Sequence, residues 1–174
     1  MPPAILLRPA VLADIPTLTA WDEEPHVQFS DPNMGSGWDW EDEIEASWPG
    51  YWHFIAEVQS TPIGFVQIID PEIEHSQYWG AMGPGYRAID IWIGPADWLG
   101  IGCGTQMLQQ ALEYCFSDTT VHTVLIDPIE KNIRAHRFYQ RCGFQPTGLR
   151  QFGADTCLVH ELKRADWRIG DTDA

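Results

Sequence analysis

Apolar residues recur along the chain with two different periods, and the changes from one to the other divide it into elements. Residues 4–8 read as a short strand. Helical spacing follows over residues 13–21, where Leu18 and Trp21 share a face, Asp14 stands near the start as a cap and Pro16 falls in a first turn that tolerates it. Residues 31–37, rich in Asp, Asn, Ser, Gly and Pro, predict a loop, and the acidic, aromatic stretch 38–48 predicts a helix. Alternation at 52–59 and an apolar run at 64–69, with Thr61-Pro62 as the turn between them, predict an antiparallel hairpin. After an irregular stretch, 71–87, a third strand is expected at 89–93. Residues 102–116 return to helical spacing through Met107, Leu108, Ala111, Leu112 and Cys115. A strand at 121–126, a helix at 132–142 ended by Gly143, and two closing strands at 144–148 and 156–162 complete the order. This mixture predicts an α/β or α+β three-layer domain.

With 174 residues, 44% hydrophobic and 20% charged, the chain has the size and composition of one globular domain, taken as residues 1–174. No stretch approaches the roughly 18 uninterrupted apolar residues of a membrane span. The short run 4–7 before Arg8 has neither the length nor the charge order of a signal peptide, so a soluble, cytoplasmic protein is expected. Cys103, Cys115, Cys142 and Cys157 form no CxxC pair and have no His at ligand spacing; free thiols and no metal site are expected. Charge changes the picture more. The net value is -15, and the 78 residues between Arg8 and Arg87 hold 14 carboxylates and no Lys or Arg. Lys131, Arg134, Arg137, Arg141 and Arg150, by contrast, fall within 20 residues. Such a field attracts a cation to one region and an anion to another and argues against nucleic acid and membrane partners; a plain solvated acidic surface is the alternative.

The strand at 89–93 runs into a glycine-rich segment, residues 94–105, and then directly into a helix. Gly100, Gly102 and Gly104 let backbone approach a ligand closely, and the free N–H groups at the helix start suit a pyrophosphate. There is no GxxxxGK[ST], which argues against a nucleotide triphosphatase. About thirty residues later Asn132, Ala135, Phe138, Tyr139, Gly143 and Phe144 form the series NxxAxxFYxxxGF. Together the two segments resemble the GNAT superfamily of acetyltransferases: the first its acetyl-CoA motif, Q/RxxGxG/A, the second its later helix along the pantetheine arm. Leu99 departs from the pattern, standing where Arg or Gln is usual.

The resemblance implies a mixed, mostly antiparallel sheet of six to seven strands flanked by helices, with acetyl-CoA as co-substrate. Its phosphates would be held at Leu99, Gly100, Ile101, Gly102, Cys103, Gly104 and Thr105, its arm would run along Asn132, Ala135 and Phe138, and its thioester carbonyl would meet backbone N–H groups of Ile91, Trp92 and Ile93. Arg87-Ala88-Ile89-Asp90, Asp127-Pro128 and the overall acidity further resemble the aminoglycoside 6'-N-acetyltransferase branch, whose base is an Asp at this place; this implies Asp90 as base. A strand Asp paired with Arg87 is the structural alternative. Tyr139 stands where the family protonates the departing thiolate, or it simply packs with Phe138 and Phe144. Asp127 is a candidate for the acceptor ammonium or a turn-forming Asp-Pro. His75, Glu72 and Glu74 are alternative bases or acceptor contacts. Trp38 and Trp40, with Trp48, Trp52 and the carboxylates between them, form either a ligand-stacking wall or core.

Three functions remain compatible with these residues. One is acetyl transfer to the amine of a cationic small molecule, foremost the 6'-amine of an aminoglycoside, by direct attack in a ternary complex. The second is transfer to a polyamine, a siderophore lysine or a protein N-terminus, and the third is a non-catalytic acyl-CoA-binding domain. A monomer and a homodimer are equally compatible with the chain.

Overall fold

Apolar runs at 63–69 and 123–126 are buried on both faces while 145–151 is exposed throughout, as central and edge places in one mixed sheet require. The computed structural model of the protein describes residues 3–31 and 39–167. Its seven strands are β1 (Leu6–Pro9), β2 (Tyr51–Val58), β3 (Thr61–Ile69), β4 (Tyr86–Ile93), β5 (Thr123–Ile126), β6 (Gln145–Phe152) and β7 (Asp155–Lys163), ordered β1-β2-β3-β4-β5-β7-β6. All neighbours are antiparallel except β4 and β5. The helices are α1 (Ile15–Asp22), α2 (Pro25–Ser30), α3 (Trp40–Glu45), α4 (Cys103–Ser117) and α5 (Ile133–Arg141). Among the described residues no helix is long and apolar enough to cross a membrane.

The elements match the expected order, and most differences are at their ends. Asp14 is at the start of α1 but does not cap it. Its two carboxylate oxygens accept from Arg8 at 2.7 Å, and Arg8 also reaches Glu57 at 2.7 Å, so the group ties β1 to β2 instead. The β2–β3 turn is Gln59-Ser60, both at positive φ (49° and 65°), rather than Thr61-Pro62, which begin β3. Two left-handed residues suit the twist of a two-residue hairpin. Helix α2 was not anticipated, and α3 is shorter than the 38–48 helix.

Successive β4 side chains point to opposite faces. Ile89 and Ile93 lie beneath α4 in the main core with Met107, Leu108 and Ala111. Trp92 faces the other way, into a cluster with Trp40, Phe65, Leu18 and Trp21, and Ala88 joins Trp79, Ile129 and Phe152. Asp90, between Ala88 and Trp92 on that face, therefore sits at the boundary of two apolar clusters. At the end of α5, Phe144 N–H donates to Tyr139 O and Gly143 N–H to Gln140 O, both at 3.1 Å. This is the paired-bond pattern of a Schellman ending, and it holds Tyr139 against Phe144 with ring centroids 5.9 Å apart.

Candidate active site

The β4–β5 ladder contains only Tyr86↔Thr123, Arg87↔Val124 and Ala88↔Leu125. Beyond Ala88 the strands diverge, while β4 stays paired with β3 as far as Ile93. Gly94 N–H bonds to Ile63 O of β3 at 3.0 Å. Because backbone groups alternate sides along a strand, Ile91 and Ile93 present theirs to the gap, whereas those of Trp92 turn toward β3. Among the described residues no strand pairs with this edge, so the sheet opens into a cleft there, with the N–H groups of Ile91 and Ile93 facing the gap.

The glycine-rich segment leads from the end of that edge. Ala96–Trp98 make one turn of 3-10 helix, and Gly102, the residue before α4, has φ +90°, a value any larger side chain would adopt only under strain. Ile101 is exposed, Leu99 and Thr105 are half-buried, and Cys103 is buried in the main core. A side chain on Gly104 would meet Phe138 at 3.5 Å, so the two sequence motifs approach each other across the start of α4. Ala135 and Phe138 pack on the same core. Asn132 is the N-cap of α5: its Oδ1 accepts from Ala135 N–H at 3.1 Å, and Ser30 lies 3.4 Å from its Nδ2. Leu99 contributes no charge, but exposed Arg134 does, its guanidinium lying 4.0 Å from where a Gly100 side chain would begin.

Asp90, Asp127 and Tyr139 come together at the cleft. Arg87 pairs with Asp70 at 2.9 Å and with Asp118 at 3.1 Å, so it is not the partner of Asp90. Burial pushes the Asp90 carboxyl well above the usual carboxylate range, and the charges of Asp127 and Asp31 push it further. Burial likewise raises Asp127, to about 7, with Asp31 adding to the rise while Tyr78 and Arg150 oppose it. Tyr78 O–H donates to Asp127 at 2.6 Å, and the Tyr78 ring stacks on Phe152 at 4.5 Å. Tyr139 is buried, which raises its phenol above the ordinary value, and Asp90 and Asp127 raise it further.

Across the sheet from Asp90 the register runs to Gln67 and then to His53. Gln67, buried within an apolar strand, lies 2.8 Å from His53 Nε2, and Glu43 lies 3.6 Å from the same nitrogen. Burial pulls the His53 imidazole down to about 4 and raises the Glu43 carboxyl. A neutral imidazole, an amide and carboxylates therefore continue the polar floor of the cleft.

Among the described residues the tryptophans do not share one wall. Trp40 is core: it is 5% exposed, stacks edge-on against Phe65 and donates its indole N–H to Asp22 at 2.7 Å. Burial follows because α3 must cover the β3–β4 face with its apolar side. Trp52 packs with Tyr114 of α4, on the opposite face of the sheet. Trp48 is at the rim, stacked on exposed His75 at 4.4 Å, and Trp38 lies outside the described residues. Glu74 accepts from Tyr51 O–H and Ser76 O–H, which ties down the 71–80 segment. Tyr78, Gln67 and His53 were missed from sequence, where a lone Gln in the apolar run 64–69 was the visible signal; Arg134 had been noted only as one of a basic cluster.

The acetyltransferase (GNAT) domain family matches residues 10–152. The chain belongs to the GNAT acetyltransferase family. Aminoglycoside N(6')-acetyltransferase type 1 of Klebsiella pneumoniae is 33% identical over 96 residues, covering 55% of this chain and 48% of that protein. The chain thus spans about half the length of that curated relative. A kanamycin resistance protein of Rhizobium radiobacter is 35% identical over 77 residues, covering 44% and 71%. Among solved structures, AAC(6')-Ib in complex with ribostamycin and coenzyme A superposes with a TM-score of 0.86 at 24% identity, covering 98% of this chain and 99% of that one. That likeness establishes the GNAT fold, with the seven-stranded, mostly antiparallel sheet expected from sequence.

Proposed function

We propose that this GNAT domain transfers the acetyl group of acetyl-CoA to an amine of a cationic small molecule, foremost the 6'-amine of an aminoglycoside, by direct attack in a ternary complex. The observation that carries the reading is Asp90: a carboxyl with no ion pair among the described residues, beside the β4 edge from which β5 diverges, its proton affinity raised by burial and by Asp127. Relatives named for aminoglycoside acetylation or kanamycin resistance support the acceptor class.

Each residue then has a chemical task. The N–H groups opening α4, with Arg134, hold the phosphates. Asp127 and Asp90 draw an ammonium into the cleft, and Asp90 takes a proton from it, directly or through one water, leaving a neutral amine. The amine nitrogen bonds to the thioester carbon while N–H groups of the β4 edge stabilise the oxyanion, an interaction worth about 3–4 kcal/mol in other enzymes. As the C–S bond breaks, Tyr139 gives its proton to the thiolate, and the excess proton still on the nitrogen passes through water to the phenolate, leaving a neutral amide and restoring the phenol. An ordinary thiol near 8.5 and a phenol above 10 make that transfer uphill by about 2 kcal/mol or more. A cation held by Asp90 and Asp127 offsets the two charges that raise the phenol, which eases the step.

The test is thiol release from acetyl-CoA with aminoglycosides carrying a 6'-amine, matched compounds carrying a 6'-hydroxyl, spermidine and lysine. Turnover confined to the 6'-amines is expected. Turnover only on spermidine or lysine would leave the transferase and remove the acceptor.

A further inference from the structure

One side chain of helix α2 reaches the end of β4, the strand edge where the acyl group would lie. His26 Nε2 is 2.8 Å from the carbonyl oxygen of Ile93. A carbonyl only accepts, so Nε2 carries the proton and donates. That carbonyl shares its side of β4 with the Ile93 N–H, facing the gap where β5 has diverged. Two further contacts hold this segment: a Gly94 side chain would fall within 2.1 Å of the Trp21 indole, so α1 packs directly on the strand end, and Ser30 meets Asn132 at 3.4 Å.

The chemistry of the edge explains why a donor belongs there. An oxyanion forming against the Ile93 N–H would have the Ile93 carbonyl, with its partial negative charge, on the same side of the strand. Occupying that carbonyl with an N–H removes much of the repulsion and leaves the edge with net donor character toward the acyl oxygen. We propose that His26 is a positioning residue for acetyl transfer, its Nε2–H masking the Ile93 carbonyl so that the β4 edge is electropositive where the oxyanion develops. This rests on the acetyl-transfer reading above. The residue does not touch the reacting atoms; it acts through the strand.

The experiment compares wild type, His26→Phe and His26→Gln in thiol release, with KM for both substrates, affinity for coenzyme A and melting temperature. Gln keeps an N–H at nearly the same reach, whereas Phe keeps the ring without a donor. The expected result is a loss of roughly tenfold in kcat for His26→Phe with KM values within about twofold, and recovery of most of the rate in His26→Gln. Unchanged kcat in His26→Phe would overturn the inference, as would equal losses in both variants. If wild type bound coenzyme A but released no thiol with any amine, the acetyl-transfer reading itself would fall, and this inference with it.

Discussion

Replacing Asp127 by asparagine removes one of two carboxyls that repel each other in the cleft while leaving an oxygen to accept from Tyr78. Burial, with the charge of Asp31 adding to it, pushes the Asp127 carboxyl up from its ordinary 3.8 to about 7. A folded pKa above the unfolded one means that this group's favourable contribution is complete below the unfolded value and is lost as pH rises through the folded one. At 1.36 kcal/mol per pH unit, that difference corresponds to ~4 kcal/mol of destabilisation at pH 8. The cleft is open to water and the charge is shared with Asp90, so about half of that figure is expected. Some two-thirds of the loss falls between pH 5 and pH 8, which leaves about 1 kcal/mol, or roughly 2–4 °C for a domain of this size. Thermal melts of Asp127→Asn and wild type at both pH values test this without any substrate. The variant's gain at pH 8 should exceed its gain at pH 5 by that amount. Equal gains at the two pH values, or a loss at pH 8, would refute the argument that buried charge at Asp127 is held against the fold. The same substitution removes a charge that raises Asp90, so the acid limb of kcat/KM should move to lower pH.

Asp90→Asn should lower kcat by about 10²–10⁴, the range for a positioned general base, while its melting temperature holds or rises; a loss below tenfold would remove Asp90 from that role. Tyr139→Phe should slow thiol release from acetyl-CoA, and the penalty should shrink with a thioester whose thiol is more acidic; a penalty independent of the leaving group would make Tyr139 a packing residue. Gly94→Ala places a methyl within 2.1–2.4 Å of Trp21 ring atoms and should destabilise by about 1–3 kcal/mol, read as a lower melting temperature.

The sequence by itself determined the order of elements and the family resemblance, and it singled out the residues of the proposed cofactor face. Helix α4 is legible because its apolar spacing is local, and the glycine segment and the NxxAxxFYxxxGF series are contiguous, so each could be read without knowing its neighbours. Asp90 and Tyr139 were singled out through those motifs as the base and acid proposed above. Only the tertiary structure decided what depends on contacts between distant segments. It paired Arg87 with Asp70 and Asp118 and so left Asp90 without an ion pair among the described residues. It buried Trp40 in the core and put Trp52 on the other face of the sheet, where a count of nearby tryptophans had suggested one wall. It joined His53, Gln67 and Asp90 through strand register, and brought His26 to the end of β4 across 67 positions of chain. Periodicity reports which face of an element is apolar, whereas register, pairing and helix placement are set by which elements pack together, and that information is not local to any of them.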